Sequence, residues 1–567
     1  MAKNIQETGI SKRFFFLIVF FGAILVSVAA AWFSIGRHLI GIDDANIFFS
    51  YAQNLVNGRG ITYAGNGVPV EGCTSLAWLL ICSFNFLFGF NEIGVFICSL
   101  VCLAVAQLCW LKVLEKVIMY YAPQNGRAGR VVYAGLIISC PAYITWMGLT
   151  LMDSALWGMV LSCMAYVLVS EMMGNDVVSR WEGMLPFVIS TIVRPEAMFV
   201  APVSLLMIAT SRILRKQKVV PVLTLSVAFV LTLAGLTLFR MLYFGFPLPN
   251  TYYAKVSPSL IYNLKCGILY AGLYVSAGIP VSVFACASLF MPLKVPALIR
   301  NAIAQKDTRP MAFLALWIWV VFMMAVPVLN GGDHFEMHRF FQPLYPGIAV
   351  LLAGVVVRLN LEEAVSRWIG DKTRFLVLPI LVSALVLSGW TGRDSWLFSL
   401  LERSPLRGEF ELAQNDYKEG ELLNCLFEGV VDFPVVGTIT AGGISRSYRG
   451  GLVDLMGLND VRIAHHPGDR RGVKNHAAFS PAVFSRLGVD ILRTDPCAGS
   501  DYYLKGMCGT PEFARDWRYG ELSRKDIDAK VVALFAKKWL ENVLKTGHYS
   551  FYDKMVWDCE KTRWRSP

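Results

Sequence analysis

Charge is scarce in this chain. Asp, Glu, Lys and Arg make up 16% of 567 residues against 55% hydrophobic ones, and the mean hydropathy is +0.51. That balance excludes an ordinary soluble globule and points to a polytopic membrane protein. Acids are scarcer than bases, 41 against 52, for a net charge of +11. In a soluble protein such a surplus would suggest nucleic acid. Here Lys and Arg collect in short loops between apolar runs, as membrane topology requires, so no nucleic-acid partner is expected. Histidine is rare as well, with seven copies, and there is no HExxH and no cysteine cluster. No metal ligand is therefore assigned and no cofactor is established, with a divalent cation left open. Most of the 13 Cys lie inside apolar runs, where a thiol packs as a small hydrophobe. Cys497 and Cys508 are the one disulfide candidate, in an oxidising compartment. Internal repeats of the transporter kind and low-complexity segments are absent.

What is present is a series of long apolar runs. Phe14 to Ser34 follows Lys12 and Arg13 without a cleavage site and reads as a retained signal anchor. The run 75–90 is short for a core of about 30 Å and suits an interfacial helix. Spans are expected near 93–111, 131–149, 154–172, 219–243, 265–290, 311–329, 343–358 and 375–390. A broken hairpin over 183–208 is expected around "VRPEA", where Pro195 supplies the break. This gives a mainly α, polytopic bundle of about eleven crossings over residues 1–390. It puts the basic clusters, including Arg358, Arg367, Lys372 and Arg374, on one inner side. Residues 391–567 change composition, with short alternating stretches such as "VVGTITAGG" and "VDILRT", and read as an extracytoplasmic soluble α+β domain.

Three outer segments carry the ionisable chemistry. In "GIDDANIFFSYAQNLVNGRG", Ile47, Tyr51 and Leu55 recur at helical spacing behind Asp43 and Asp44, predicting an amphipathic interfacial helix with the acids at its N-terminus. One Asp is expected to cap that helix, leaving the other for chemistry. The second segment, "FPLPNTYYAK", sets Asn250, Tyr252, Tyr253 and Lys255 just after a span; interfacial Tyr and a snorkelling Lys are the plain alternative. The third, "VLNGGDHFEMHRFFQPLYP", holds Asp333, His334, His338 and Arg339, the two His spaced as on one helix face. Asp153, at the outer end of a span, and Glu196 beside Arg194 are ionisable groups at membrane depth, hence functional candidates, though Arg194 and Glu196 can simply neutralise each other. Together these residues are expected to form a ring of acids, imidazoles and cations at the outer membrane face. Arg339 and Lys255 can neutralise a lipid-linked phosphate while an Asp takes the proton of an attacking hydroxyl.

At these residues the chain resembles the GT-C glycosyltransferases that use lipid-linked sugars, and more narrowly the bacterial terminal arabinofuranosyltransferase family. The resemblance is carried by "DDANIFFSYAQNLVNGRGITYAGNGVPVEGCTSLAW", "RPEA", "LPNTYYAK", "GGDHFEMHRFFQP" and the tail's "LVDLMGLNDVRIAHH", from about residue 40 to about 495. It implies a multi-pass protein of the bacterial inner membrane, with active site and C-terminal domain on the periplasmic side. It implies inverting transfer of a pentose, most simply arabinofuranose, from polyprenyl phosphate, with Asp43 or Asp44 as base. The implied acceptor is a cell-envelope glycan, a lipid-linked saccharide or a secreted protein such as a pilin. Asp153 stands where the family pattern has Glu, and His334 and Glu336 match nothing in it. Two rivals are a lipid or polysaccharide transporter, which would need no base, and a catalytically silent scaffold that binds wall polymer.

Overall fold

The computed structural model describes residues 2–65, 67–358, 383–384, 396, 399–427, 433–466, 487–489 and 491–492. Cys497, Cys508, Arg367, Lys372, Arg374 and nearly all of the expected span 375–390 lie outside them. Seven described helices are long and apolar enough to cross a membrane: Arg13–Ser34, Asn91–Ile118, Ser154–Met172, Ala197–Leu214, Val220–Tyr243, Leu260–Ala277 and Arg309–Leu329. Two bent pairs raise the number to nine when each is taken as one span. By length and composition the chain is a multi-pass membrane protein.

Proline accounts for the departures from straight spans. The run 131–149 is two helices, Gly126–Ile138 and Pro141–Gly148, bent by 72°. Pro141 cannot donate into the preceding turn, so it opens a new helix. The expected single span 265–290 is likewise two helices, Leu260–Ala277 and Ile279–Phe290, with Pro280 in the first turn of the second. The stretch 183–208 is helix, break, helix: Trp181–Val193 and Ala197–Leu214 flank an extended Arg194, as the residue before Pro195 requires. The run 75–90 forms the short helix Leu76–Leu87, below spanning length, with Leu80, Phe84 and Leu87 exposed.

By contact the chain forms two compact units. The first comprises 1–39, 93–236 and 263–407; the second comprises 40–92, 237–262 and 408–567. In the first unit the basic loops meet at one end of the bundle. Tyr121 donates to the Pro310 carbonyl (2.6 Å), Ser211 bonds Thr308 (2.8 Å), Arg215 reaches Asp307 (3.8 Å), and Arg309 and Arg358 lie over the rings of Tyr120 and Tyr121. In the second unit, the helix Asp43–Val56 packs on Leu76–Leu87 and on the short helix Gly443–Ser447. Ile47 and Tyr51 are buried as expected, but so are Asn46, Ser50 and Asn54, which makes the helix protein-covered on nearly all sides. The described C-terminal residues contain the helix Arg407–Leu426 and three strands, β1 (Val436–Thr438), β2 (Leu452–Asp454) and β3 (Ile491–Leu492), parallel and ordered β2-β1-β3. β1 and β3 fall in the two alternating stretches singled out in the sequence, and the burial of every β1 and β2 residue is what a parallel sheet demands.

Candidate active site

The residues expected in one ring fall into two groups, one within each unit.

In the second unit the two first-loop carboxylates have different surroundings. Ile42, not an Asp, occupies the N-cap position of Asp43–Val56, and it makes no side-chain cap bond. The expectation that one Asp caps this helix is therefore corrected for Asp43, whose oxygens are engaged across the unit. They accept from the backbone N–H groups of Ala441 (3.1 Å), Gly442 (3.0 Å) and Gly443 (2.8 Å), which open the helix Gly443–Ser447. A side chain at position 442 would collide with the Asp43 carbonyl oxygen, and one at 443 with that of Ala413, so only glycine lets the donors come this close. Burial pushes the Asp43 carboxyl up to about 7, with the charge of Asp416 adding to it and the Gly443 N–H opposing it. Asp44 is 18% exposed at its side chain and stands 4.0 Å from Lys255 Nζ.

Lys255 is held by a short helix, Asn250–Lys255, that is fastened at its start. Asn250 donates its backbone N–H to the Glu71 carbonyl (3.0 Å) and its amide to the carbonyls of Gly457 and Leu458 (both 2.9 Å). Glu71 is gripped by Arg240 through a bidentate pair, with bonds of 2.8 to 3.1 Å, and both residues are buried. The 457–459 turn is organised by Asp454, which accepts from Met456 and Asn459, and Asn459 in turn accepts from Tyr51. Burial pushes the Asp454 carboxyl up to about 6 against the N–H groups of Asn459 and Met456. Tyr252 is 45% exposed, while Tyr253 packs against His465. The first-loop, second-loop and tail motifs of the sequence are thus brought together. Glu71 and Arg240 were not anticipated as a pair: nothing in a sequence links a loop acid to an Arg 169 positions later.

In the first unit, Arg194 donates to both oxygens of Asp153 (3.1 and 3.2 Å) and, through Nε and Nη2, to both oxygens of Glu196 (3.1 and 2.9 Å). The local neutralisation foreseen for Arg194 and Glu196 exists, and Asp153 joins it. Arg339 pairs with Asp333, whose other oxygen accepts from the His334 backbone N–H (2.9 Å). Both guanidinium groups lie against Phe340, at 5.4 Å for Arg194 and 4.9 Å for Arg339, and both line one cleft with Glu196, Trp157 and Pro327. The helical spacing expected of His334 and His338 is not realised. Residues 330–341 form turns, and Met337 (φ +57°) and His338 (φ +53°) adopt left-handed backbone that no α-helix admits. His334 packs on Phe335, and His338 on Tyr270 and Tyr274. Among the described residues no group of three His, Cys, Asp or Glu side chains is placed to hold a metal ion.

No protein-family model and no curated protein matches the chain. Solved structures similar to it include two of ArnT from Cupriavidus metallidurans. The one bound to undecaprenyl phosphate is 12% identical with a TM-score of 0.45, covering 76% of this chain and 85% of that one. The apo structure is 13% identical with a TM-score of 0.44, covering 76% and 84%.

Proposed function

We propose that the chain is a membrane glycosyltransferase of the GT-C kind that moves a sugar, most simply arabinofuranose, from a polyprenyl-phosphate donor to an acceptor hydroxyl on the outer face of the cytoplasmic membrane. The observation that carries this reading is the inequality of the two first-loop acids. Asp43 has its oxygens engaged by backbone donors, whereas Asp44 is partly exposed beside a cation delivered from another loop. A carboxylate with solvent access next to an ammonium group has the parts this chemistry needs.

In the proposed step the acceptor hydroxyl attacks the anomeric carbon and Asp44 takes its proton. The bond from that carbon to the phosphate oxygen breaks as the new glycosidic bond forms, so the configuration inverts. Polyprenyl phosphate departs with the bonding electrons, its charge countered by Lys255. The leaving group is stable as an anion at neutral pH, so one base and a cation suffice without a covalent intermediate. The sequence motifs around "DDANIFF" and "LPNTYYAK" support the same assignment through their resemblance to the family.

The direct test is to incubate membranes containing the protein with a panel of radiolabelled polyprenyl-phosphate sugars and to identify the labelled product. Label that crosses the bilayer still attached to its lipid, with no new glycoside, would assign a transporter instead. The proposed orientation places 111–130 and 212–218 inside. A Lys216→Cys variant should resist a membrane-impermeant thiol reagent applied to intact cells, and labelling of that position would reverse the topology.

A further inference from the structure

We propose that the helix Val295–Gln305 is an interfacial anchor that binds anionic phospholipid headgroups at the basic end of the first unit. The helix follows the apolar helix Ile279–Phe290 at a bend of 63°, through the one-turn 3₁₀ segment Met291–Lys294, so the chain turns off the axis of that apolar helix just where its composition changes. Ala302 is fully buried and faces the protein, and Val295 is half-buried. Ile299 and Ile303, four residues apart and hence on one stripe, are 41% and 55% exposed. Leu289, Phe290 and Leu293 continue this exposed apolar surface at 76%, 66% and 78%. Arg300 and Lys306 are exposed, on the helix and just beyond it.

An apolar stripe bordered by cations on a helix turned off a span is the arrangement that lies in the headgroup boundary, its Ile side chains among acyl chains and its cations at phosphate depth. The neighbouring loops add charge of the same sign. Arg215 reaches the 294–309 connection through Asp307, with Lys216 and Lys218 close by in sequence, and Arg309 and Arg358 stand over Tyr120 and Tyr121. Topology alone needs cations in these loops but does not need an exposed apolar stripe beside them. The charge complement of the whole patch is an anionic leaflet, to which each basic residue near the surface adds attraction that salt screens.

The test uses the full chain in nanodiscs of phosphatidylcholine alone or with about a third phosphatidylglycerol, a composition set by the roughly −30 to −50 mV surface potential of anionic leaflets. Hydrogen exchange over Val295–Gln305 is expected to be several-fold slower in the anionic discs, with the difference shrinking at high salt and unaffected by added inorganic phosphate. Arg300→Gln with Lys306→Gln should abolish the difference, and Ile299→Ser should speed exchange in both lipids. Equal exchange of the wild-type helix in the two lipids, or an anionic-lipid effect that survives the double Gln variant, overturns the proposal. Because the readout is local exchange and not sugar transfer, its result is independent of the proposed enzymatic activity.

Discussion

The candidate acids of the two units meet the problem of a buried carboxylate in opposite ways. In the first, Asp153, Glu196 and Asp333 are met by guanidinium groups, Arg194 serving two of them and Arg339 the third. In the second, Asp43 meets no cation in its immediate bonds and is held by a turn of backbone N–H groups at the start of a helix. Side-chain pairing leaves each ion dependent on a partner that mutation can remove, and breaking such a pair strands a charge. Backbone donors cannot be mutated away, but they offset burial only in part, which is why the Asp43 carboxyl rises to about 7.

The strongest way to break this comparison is at the two first-loop acids. Asp44→Asn should lower transfer by about 10²- to 10⁴-fold with little change in thermal stability, since an amide cannot take the hydroxyl proton. Asp43→Asn should act mainly on stability, by roughly 1–3 kcal/mol, because one oxygen is replaced by a donor facing donors. Rate assays and melting curves on the same preparations separate the two. If the Asn variant at 43 proves the inactive one and that at 44 stays near wild type, the proposed roles are exchanged.

In the first unit the expected loss is structural. Arg194→Ala leaves Asp153 buried and Glu196 half-buried without their cation and should cost about 3–5 kcal/mol, read as a lowered unfolding midpoint in detergent. Combining it with Asp153→Asn and Glu196→Gln should recover much of that loss. A single variant as stable as the wild type would mean that water reaches these carboxylates.

A smaller effect is expected at the proposed phosphate contact. Lys255→Ala should weaken donor use by roughly 1.5–3 kcal/mol. Unchanged dependence on donor concentration in this variant removes Lys255 from the donor site.

The pH dependence of stability sharpens the account of Asp43. Its folded pKa, raised from 3.8 to about 7, means that the folded state binds the proton more tightly than the unfolded one. Stability from this group is fully present below pH 3.8 and is lost as pH rises through about 7. The wild type should therefore lose melting temperature across that window relative to Asp43→Asn. Parallel curves for the two proteins would show that the backbone donors hold the carboxylate ionised throughout.

Some of this was legible before any coordinates. Most span-length apolar runs, the break at Pro195 and the strand stretches around Val436 and Ile491 depend on composition and on one or two local residues, and formed where the chain itself required them; the expected span 343–358 is instead the shorter helix Tyr345–Arg358. Continuity was misjudged at Pro141 and Pro280, where hydropathy stays high across a break between two helices. The spacing of His334 and His338 misled because i, i+4 means one face only inside a helix, and two left-handed residues prevent one there.

Apart from the local Arg194–Glu196 pair, which ionisable groups meet was decided by tertiary structure alone. Composition and the placement of charge already make the chain a helical membrane protein whose charges sit in a few short segments, because bilayer thickness and backbone satisfaction act on consecutive residues. The sequence could not assign Asp153 to Arg194, Glu71 to Arg240, or Asp43 to the glycines at 442 and 443, since these partners lie 41, 169 and about 400 positions apart. Electrostatic pairing depends on distance through space, and folding alone brings such residues to within 3 Å.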